Sequence, residues 1–383
     1  MRFIISFLIF GSLLFSCGGN ASKTHPSDTF KSKDDTIVHT NMDRKYNDYA
    51  RYIAGLKMTD GHELGKLSDD SVYSKHCVMM DTRWAEMEKN RLSKMRSFAD
   101  SELYKRIDKN ANLYYPFSGA DFLHASTFFP DAKKSLYLAL EKVGEVPQLG
   151  QMNAGMRGNY LHSMEATLSD IFRRSYFITR QMERDIPVVK GVIPVFMVFV
   201  ARQGYEILNV ELIELNGKGE TVVRTNNKNT VQGMRITYFP FGKKNDVRSL
   251  EYFSCDASND GVKLHPELIT HVKSFGSANV FFKAASYLMH HPYMSDFRDA
   301  SLSITKAVVQ DDTGFPYRLL KDNFDGFLYG TYIAPIRDFG KGGFQPDLAK
   351  LYKETATVKK LPFSLGYHWW DNNQNYMCFV RKK

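Results

Sequence analysis

The first twenty residues, MRFIISFLIFGSLLFSCGGN, decide how much of this 383-residue chain is available to fold. Arg2 is followed by a predominantly apolar run, Phe3 to Phe15, and the run ends at Leu14-Phe15-Ser16-Cys17. A charged start, an apolar middle and a small-residue exit make a secretory signal. The run is shorter than the roughly 20 apolar residues that span a bilayer as a helix, so a permanent span is not expected. Residues 1–16 are read as a cleaved leader that takes no part in the fold. Residues 17–45 are rich in Ser, Thr, Lys, Asp and Gly and hold few large apolar side chains. Such a stretch buries too little surface to offset the entropy of ordering it, and reads as a flexible tether. What folds is then 46–383, a single large body with a helical subregion over 46–110.

That body has material for a core. Hydrophobic residues make up 43% of the chain and aromatics 14%, a generous share for a globular protein. The formal net charge is +9. Lys and Arg are scattered along the whole length, whereas nucleic-acid binders concentrate them on one element, so nucleic acid is not an expected partner. No CxxC pair occurs among Cys17, Cys77, Cys255 and Cys378, which removes zinc ribbons and thioredoxin-type centres. With Cys17 outside the body, an oxidising compartment permits one disulfide among the other three, and their spacing does not choose it.

Hydrophobic spacing predicts the elements. Tyr49, Tyr52, Ile53, Leu56 and then Trp84, Met87, Leu92, Met95, Phe98 recur three and four apart, the period of helices, with Ser68-Asp69-Asp70 as a loop between them. Leu113–Phe117, Ala120–Phe128 and Ser135–Glu141 read as strand, helix and strand, a unit expected to pair in parallel. Residues 147–160, with Gly150, Gly155 and Gly158, read as a mobile loop, and Leu161–Met182 as a long amphipathic helix. The apolar run Val192–Val200 is assigned to a sheet with Tyr205–Leu215, Met234–Phe239 and Ser249–Ser254, the turn falling at Asn216-Gly217-Lys218-Gly219. Helices and strands then alternate to the end, which is read as a hairpin of Phe363–Trp369 and Tyr376–Arg381 closed by Asp371-Asn372-Asn373. The fold class is α/β or α+β: a mixed, largely antiparallel central sheet with flanking helices and one strand-helix-strand unit at 112–141.

Three constellations could carry chemistry. Gln310, Asp311 and Asp312 follow a buried strand, and Gly314 and Pro316 force a turn that displays them. Paired carboxylates share a proton, bind a hard cation or act as acid and base, although neighbours on an extended chain face opposite ways unless the turn begins between them. The competing reading is a polar turn capped by aspartates. Ser118, Asp121 and His124 suggest a hydrolase, but the G-x-S-x-G elbow is absent, and Ser118 is more simply the cap of the following helix, with Asp121 in its first turn. His368 stands beside Trp369, Trp370 and Asp371, where indole faces could stack on a flat ligand, although one of two neighbouring Trp on a strand belongs to the core. Tyr115, Gln310, Arg318, Trp369 and Trp370 are the binding candidates. The histidines form no metal motif, since Lys66 stands four residues after His62, and no cofactor motif occurs.

The residues ending at Cys17 resemble the lipobox of bacterial lipoproteins, with an apolar residue three before the cysteine and a small one just before it. That resemblance implies a diacylated Cys17 as the first residue of the mature protein and a lipid membrane as its partner. Gly18, where retention in the inner membrane uses Asp, implies the outer membrane of a diderm cell envelope. YYPFSGADF at 114–122, QDDTGFPYR at 310–318, YGTYIAPI at 329–336 and LPFSLGYHWW at 361–370 resemble uncharacterised envelope lipoproteins of such bacteria, to which no activity is assigned. Two readings of function follow. One is a tethered protein that binds a ligand or partner in a pocket of aromatic strand ends; the other is a hydrolase using Asp311 and Asp312, with or without a metal.

Overall fold

The computed structural model describes residues 44–58, 63–67, 71–177, 188–225, 227, 229–370 and 374–383. The leader, Cys17, the tether up to residue 43, His62, the Ser68-Asp69-Asp70 loop and the Asp371-Asn372-Asn373 turn lie outside the described residues.

One ten-stranded sheet organises residues 44–383. In chain order its strands are β1 (Asn112–Pro116), β2 (Lys134–Ala139), β3 (Tyr205–Leu215), β4 (Thr221–Val223) and β5 (Gln232–Pro240). They continue with β6 (Arg248–Ser254), β7 (Ala278–Phe282), β8 (Thr305–Gln310), β9 (Phe324–Tyr329) and β10 (Tyr376–Arg381). Across the sheet the order is β4-β3-β5-β6-β2-β1-β7-β8-β10-β9. The sheet is mixed: β6, β2, β1, β7 and β8 run parallel in its middle, and antiparallel ladders extend both flanks. The fold is α/β.

Helices cover both faces and make two cores. On the first lie Lys45–Ile53, the long stretch from Ser71 to Leu103 with its π-helical turns, Phe122–Phe128, Ala154–Arg174 and Ile193–Arg202. On the second lie Asn259–Leu264, Glu267–Ser274, Ser295–Ile304 and Pro346–Glu354. The middle strands are buried on both sides and so read as unbroken apolar runs, as Ala278–Phe282 does.

Several expectations are corrected. Val192–Val200 is not part of the sheet: Ile193–Arg202 is a helix, started by Pro194, with every residue from Ile193 to Ala201 buried. A helix apolar all round has no amphipathic period to betray it, because it is enclosed on every side. The mobile loop at 147–160 is instead a short 3-10 turn and the start of helix Ala154–Arg174, capped by Asn153 accepting from the Met156 N–H at 2.9 Å. The terminal hairpin is also absent. Residues 376–381 form β10, inserted between β8 and β9, while Phe363 and Leu365 drop into the first core and Gly366–His368 is a 3-10 turn.

The strand-helix-strand unit forms as expected, with β1 and β2 parallel and Phe122–Phe128 between them. Its cap is Asp121 and not Ser118: the Asp121 carboxylate accepts from the His124 N–H at 3.1 Å.

This topology creates one special place. From β1 the chain turns to the first face through Phe122–Phe128 and returns as β2; from β7 it turns to the second face through Ser295–Ile304 and returns as β8. The strands β1 and β7 are neighbours, so their following loops separate and leave a crevice at their carboxyl ends. Open α/β sheets bind ligands at such reversals of strand order.

Candidate functional site

A cavity of about 120 Å³ occupies that crevice. Phe117, Ser118 and Gly119 from the loop after β1 face Lys283, Ala284 and Ser286 from the loop after β7 across it. Leu140 and Glu141 after β2 form one rim, and Tyr176, Phe177 and Tyr367 stand over it. Tyr176 and Tyr367 pack edge to face, ring centroids 4.9 Å apart.

Its floor is a closed ionic cluster. Side chains alternate along a strand, so Lys283 follows Phe281 to the first face, where Asp121 and His124 lie. Lys283 Nζ donates to the Asp121 carboxylate and to the Ser175 carbonyl, and stands 3.1 Å from His124 Nδ1. Asp121 and the Ser175 carbonyl are its two fixed acceptors, and His124 Nδ1 is a third only in the tautomer that leaves that nitrogen unprotonated. Asp121 takes the His124 backbone N–H on one oxygen and Lys283 and the Tyr115 hydroxyl, at 3.0 Å, on the other, and in the alternative tautomer His124 Nδ1–H donates to it instead of accepting from Lys283. Behind it, Arg91 donates to the carbonyls of Ile171, Phe172 and Arg173 at the end of helix Ala154–Arg174.

The electrostatics follow. Burial alone would raise the Asp121 carboxyl, but His124 and Lys283 outweigh it and hold it well below the carboxylate range. Burial draws Lys283 down against the pull of Asp121. Burial, reinforced by Lys283, brings His124 to about 4, so its imidazole is neutral and Asp121–Lys283 is the charged pair.

Backbone strain concentrates here. Among the described residues six non-glycine residues have positive φ, and four of them border this crevice or its floor: Phe117, Ser175, Ala284 and Ser286. Each costs of order 1–3 kcal/mol and persists only where its surroundings enforce it.

The loop after β8 is a second cluster, and it does not line the cavity. Asp311 follows Val309 to the first face, where its carboxylate accepts from the Ala284 N–H at 3.0 Å and from the N–H and hydroxyl of Thr313. Asp312 turns the other way, to Tyr287 and to Asn375 Nδ2 at 3.1 Å. Burial and then the charge of Asp311 push its carboxyl up to about 7. Gln310 closes the turn, donating to the Phe315 carbonyl at 2.8 Å and accepting from the Phe315 N–H at 2.9 Å. The turn does begin after Gln310, yet the two carboxylates diverge instead of facing one pocket. The exposed Arg318 lies beyond, on a shallower cavity of about 390 Å³ with His290 and Phe344.

Among the described residues no base is bonded to Ser118; its hydroxyl donates to the Gly119 carbonyl at 2.9 Å. Trp369 lies under the Arg173 guanidinium, 5.3 Å from ring centroid to charge, while Trp370 is 67% exposed and His368 is half-buried. Of the residues singled out in the sequence, the crevice gathers Tyr115, Ser118, Asp121 and His124, with Asp311 bonded to its wall. It omits Gln310, Asp312, Arg318, His368, Trp369 and Trp370.

The four quoted segments nevertheless meet along one edge of the sheet. Tyr287 ties Asp312 to the Ile336 N–H, Ser175 ties Lys283 to the Gly366 N–H, and Ser286 and Tyr367 share a hydrogen bond of 2.6 Å. Lys283, Ser175, Tyr287 and Tyr367 were not foreseen. One sign was legible: Lys283 ends the buried run Val280-Phe281-Phe282, where a lysine must find a counter-charge.

Among the described residues no three His, Cys, Asp or Glu are grouped to hold a metal, no helix is long and apolar enough to cross a membrane, and Cys77, Cys255 and Cys378 are free thiols. No protein-family model, curated protein or solved structure matches this chain.

Proposed function

We propose that the protein is a ligand-binding lipoprotein of a diderm-bacterial envelope: a body on a tether, anchored by diacylated Cys17, that seats a small molecule between β1 and β7. The observation that carries the binding reading is a coincidence. The cavity, four strained residues and the reversal of strand order share one place, and a scaffold alone gives no reason for that. At about 120 Å³ the cavity takes a group the size of one ring, below the range of drug-sized sites. The anchor rests on the leader and the lipobox-like residues. The hydrolase alternative draws nothing from the geometry, because Asp311 and Asp312 are spent on separate internal bonds.

A fragment screen by thermal shift tests the binding reading. Hits should stabilise the native protein and lose their effect in Ser118→Leu, whose longer side chain fills the cavity. A screen whose hits all survive that change would remove the crevice as the site. The anchor is tested by mass spectrometry of the protein purified from its own membrane: two ester-linked acyl chains on an N-terminal Cys17 support it, and an unmodified thiol sinks it.

A further inference from the structure

We infer that the group seated in the crevice is an uncharged carbonyl compound, an amide, ester or ketone on a small flat apolar body. The inference rests on the binding reading above and adds the ligand's chemistry to it.

Three observations lead there. The first is a surplus of neutral donors. Among the described residues the N–H groups of Gly119 and Ser286 make no hydrogen bond, and these residues lie on opposite walls of the cavity. Gly119 is buried, where unpaired backbone donors are rare and costly. The hydroxyls of Ser286 and Tyr367 share a single bond, so one O–H remains to donate. A ligand that fits must bring acceptor oxygens.

The second is that no free counter-charge is on offer at the floor. Lys283 and Asp121 answer each other; the Ser175 carbonyl, the His124 N–H and the Tyr115 hydroxyl take further bonds, and His124 Nδ1 completes one of the two according to its tautomer, while Glu141 on the rim has a partner of its own. A carboxylate or ammonium entering would give up its hydration and find this pair already closed. A carbonyl loses far less and can accept two N–H bonds at one oxygen.

The third is size and wall chemistry. An apolar cavity of about 150 Å³ holds benzene, and this one, at about 120 Å³, is walled by Phe117, Phe177 and Tyr367. One planar group between rings, with its oxygen toward the loop N–H groups, uses both kinds of surface.

Benzamide, benzoate and benzylamine have one shape and three charges, and their dissociation constants on the full-length protein test the inference. Benzamide should bind about tenfold more tightly than either ion, roughly one hydrogen bond's difference. Its binding should be lost in Ser118→Leu and in Leu140→Trp, a change at a rim residue that is 64% exposed and so leaves folding intact. Benzoate or benzylamine binding as tightly as benzamide, with both variants abolishing it, overturns the ligand class and leaves the site standing. Benzamide binding that survives Leu140→Trp overturns the site as well. No binding by any of the three overturns the inference.

Discussion

The floor of the crevice and the loop after β8 are two buried polar clusters at the same edge of one sheet, and they settle their charge in opposite ways. Asp121 is ionised and answered by an ammonium. Among the described residues no cation pairs with Asp312; burial and Asp311 favour its neutral form, and Tyr287 and Asn375 hold it. The first lines the crevice, and Asp311 and Asp312 do not. Adjacent carboxylates are thus a poor guide to a site, since both can be absorbed by the turn that displays them.

The largest effect should come from breaking the ion pair. Lys283→Met leaves Asp121 ionised, buried and unanswered, which costs about 3–5 kcal/mol. Urea unfolding should show that loss, and adding Asp121→Asn should recover a substantial part, because the double variant strands no charge. A loss below about 1 kcal/mol in Lys283→Met would mean that the two clusters do not differ as described.

The contrast also predicts opposite pH responses. His124 falls from 6.5 unfolded to about 4 folded, so its share of stability is present above 6.5 and lost as the pH drops toward 4. That share is roughly 3 kcal/mol. Asp312 is raised from 3.8 to about 7, so its share is present below 3.8 and lost as the pH climbs toward 7. Unfolding free energies measured from pH 4 to pH 8 should therefore change slope in opposite directions in His124→Gln and Asp312→Asn. Equal slopes in both variants would erase the distinction.

Gly366 touches both clusters. Its φ is +64°, and a Cβ there would stand 3.0 Å from Asp311 Oδ2 and 3.2 Å from Lys283 Cγ. Gly366→Ala should cost about 1–2 kcal/mol from the left-handed backbone alone. It should also shift the pH responses of the two clusters together, read from the same unfolding series. A change in only one response would show that they are not joined through this residue.

Short unbroken apolar runs made the middle strands and the β1–β2 unit legible, and helical periodicity did the same for most helices. The helix Ile193–Arg202 was not, since burial on all sides leaves no polar face to mark it. The end of the chain failed for another reason. The partners of β10 are β8 and β9, and pairing across the strand that divides them is not written in the 363–381 stretch itself. In the site, Asp121 and His124 were legible as residues one helical turn apart. Their partner Lys283 is 162 residues from Asp121, and only the β1–β7 ladder, pairing Leu113 with Asn279, brings the two together.

The smallest effect bears on how the cavity's cover is held. Ser286 and Tyr367 join the loop after β7 to the ring above the cavity through one hydrogen bond, and Ser286 holds it at a φ of +53°. Ser286→Ala keeps the strained backbone and loses the bond, so it should cost about 1 kcal/mol. Ser286→Gly loses the same bond but gains ease at positive φ, so the two contributions should nearly cancel. Tyr367→Phe should match Ser286→Ala, and the double variant should cost little more than either single one, which a double-mutant cycle reads directly. Strict additivity would show that the bond does not couple loop to cover, and the strain at Ser286 would then need another cause than holding the cavity shut.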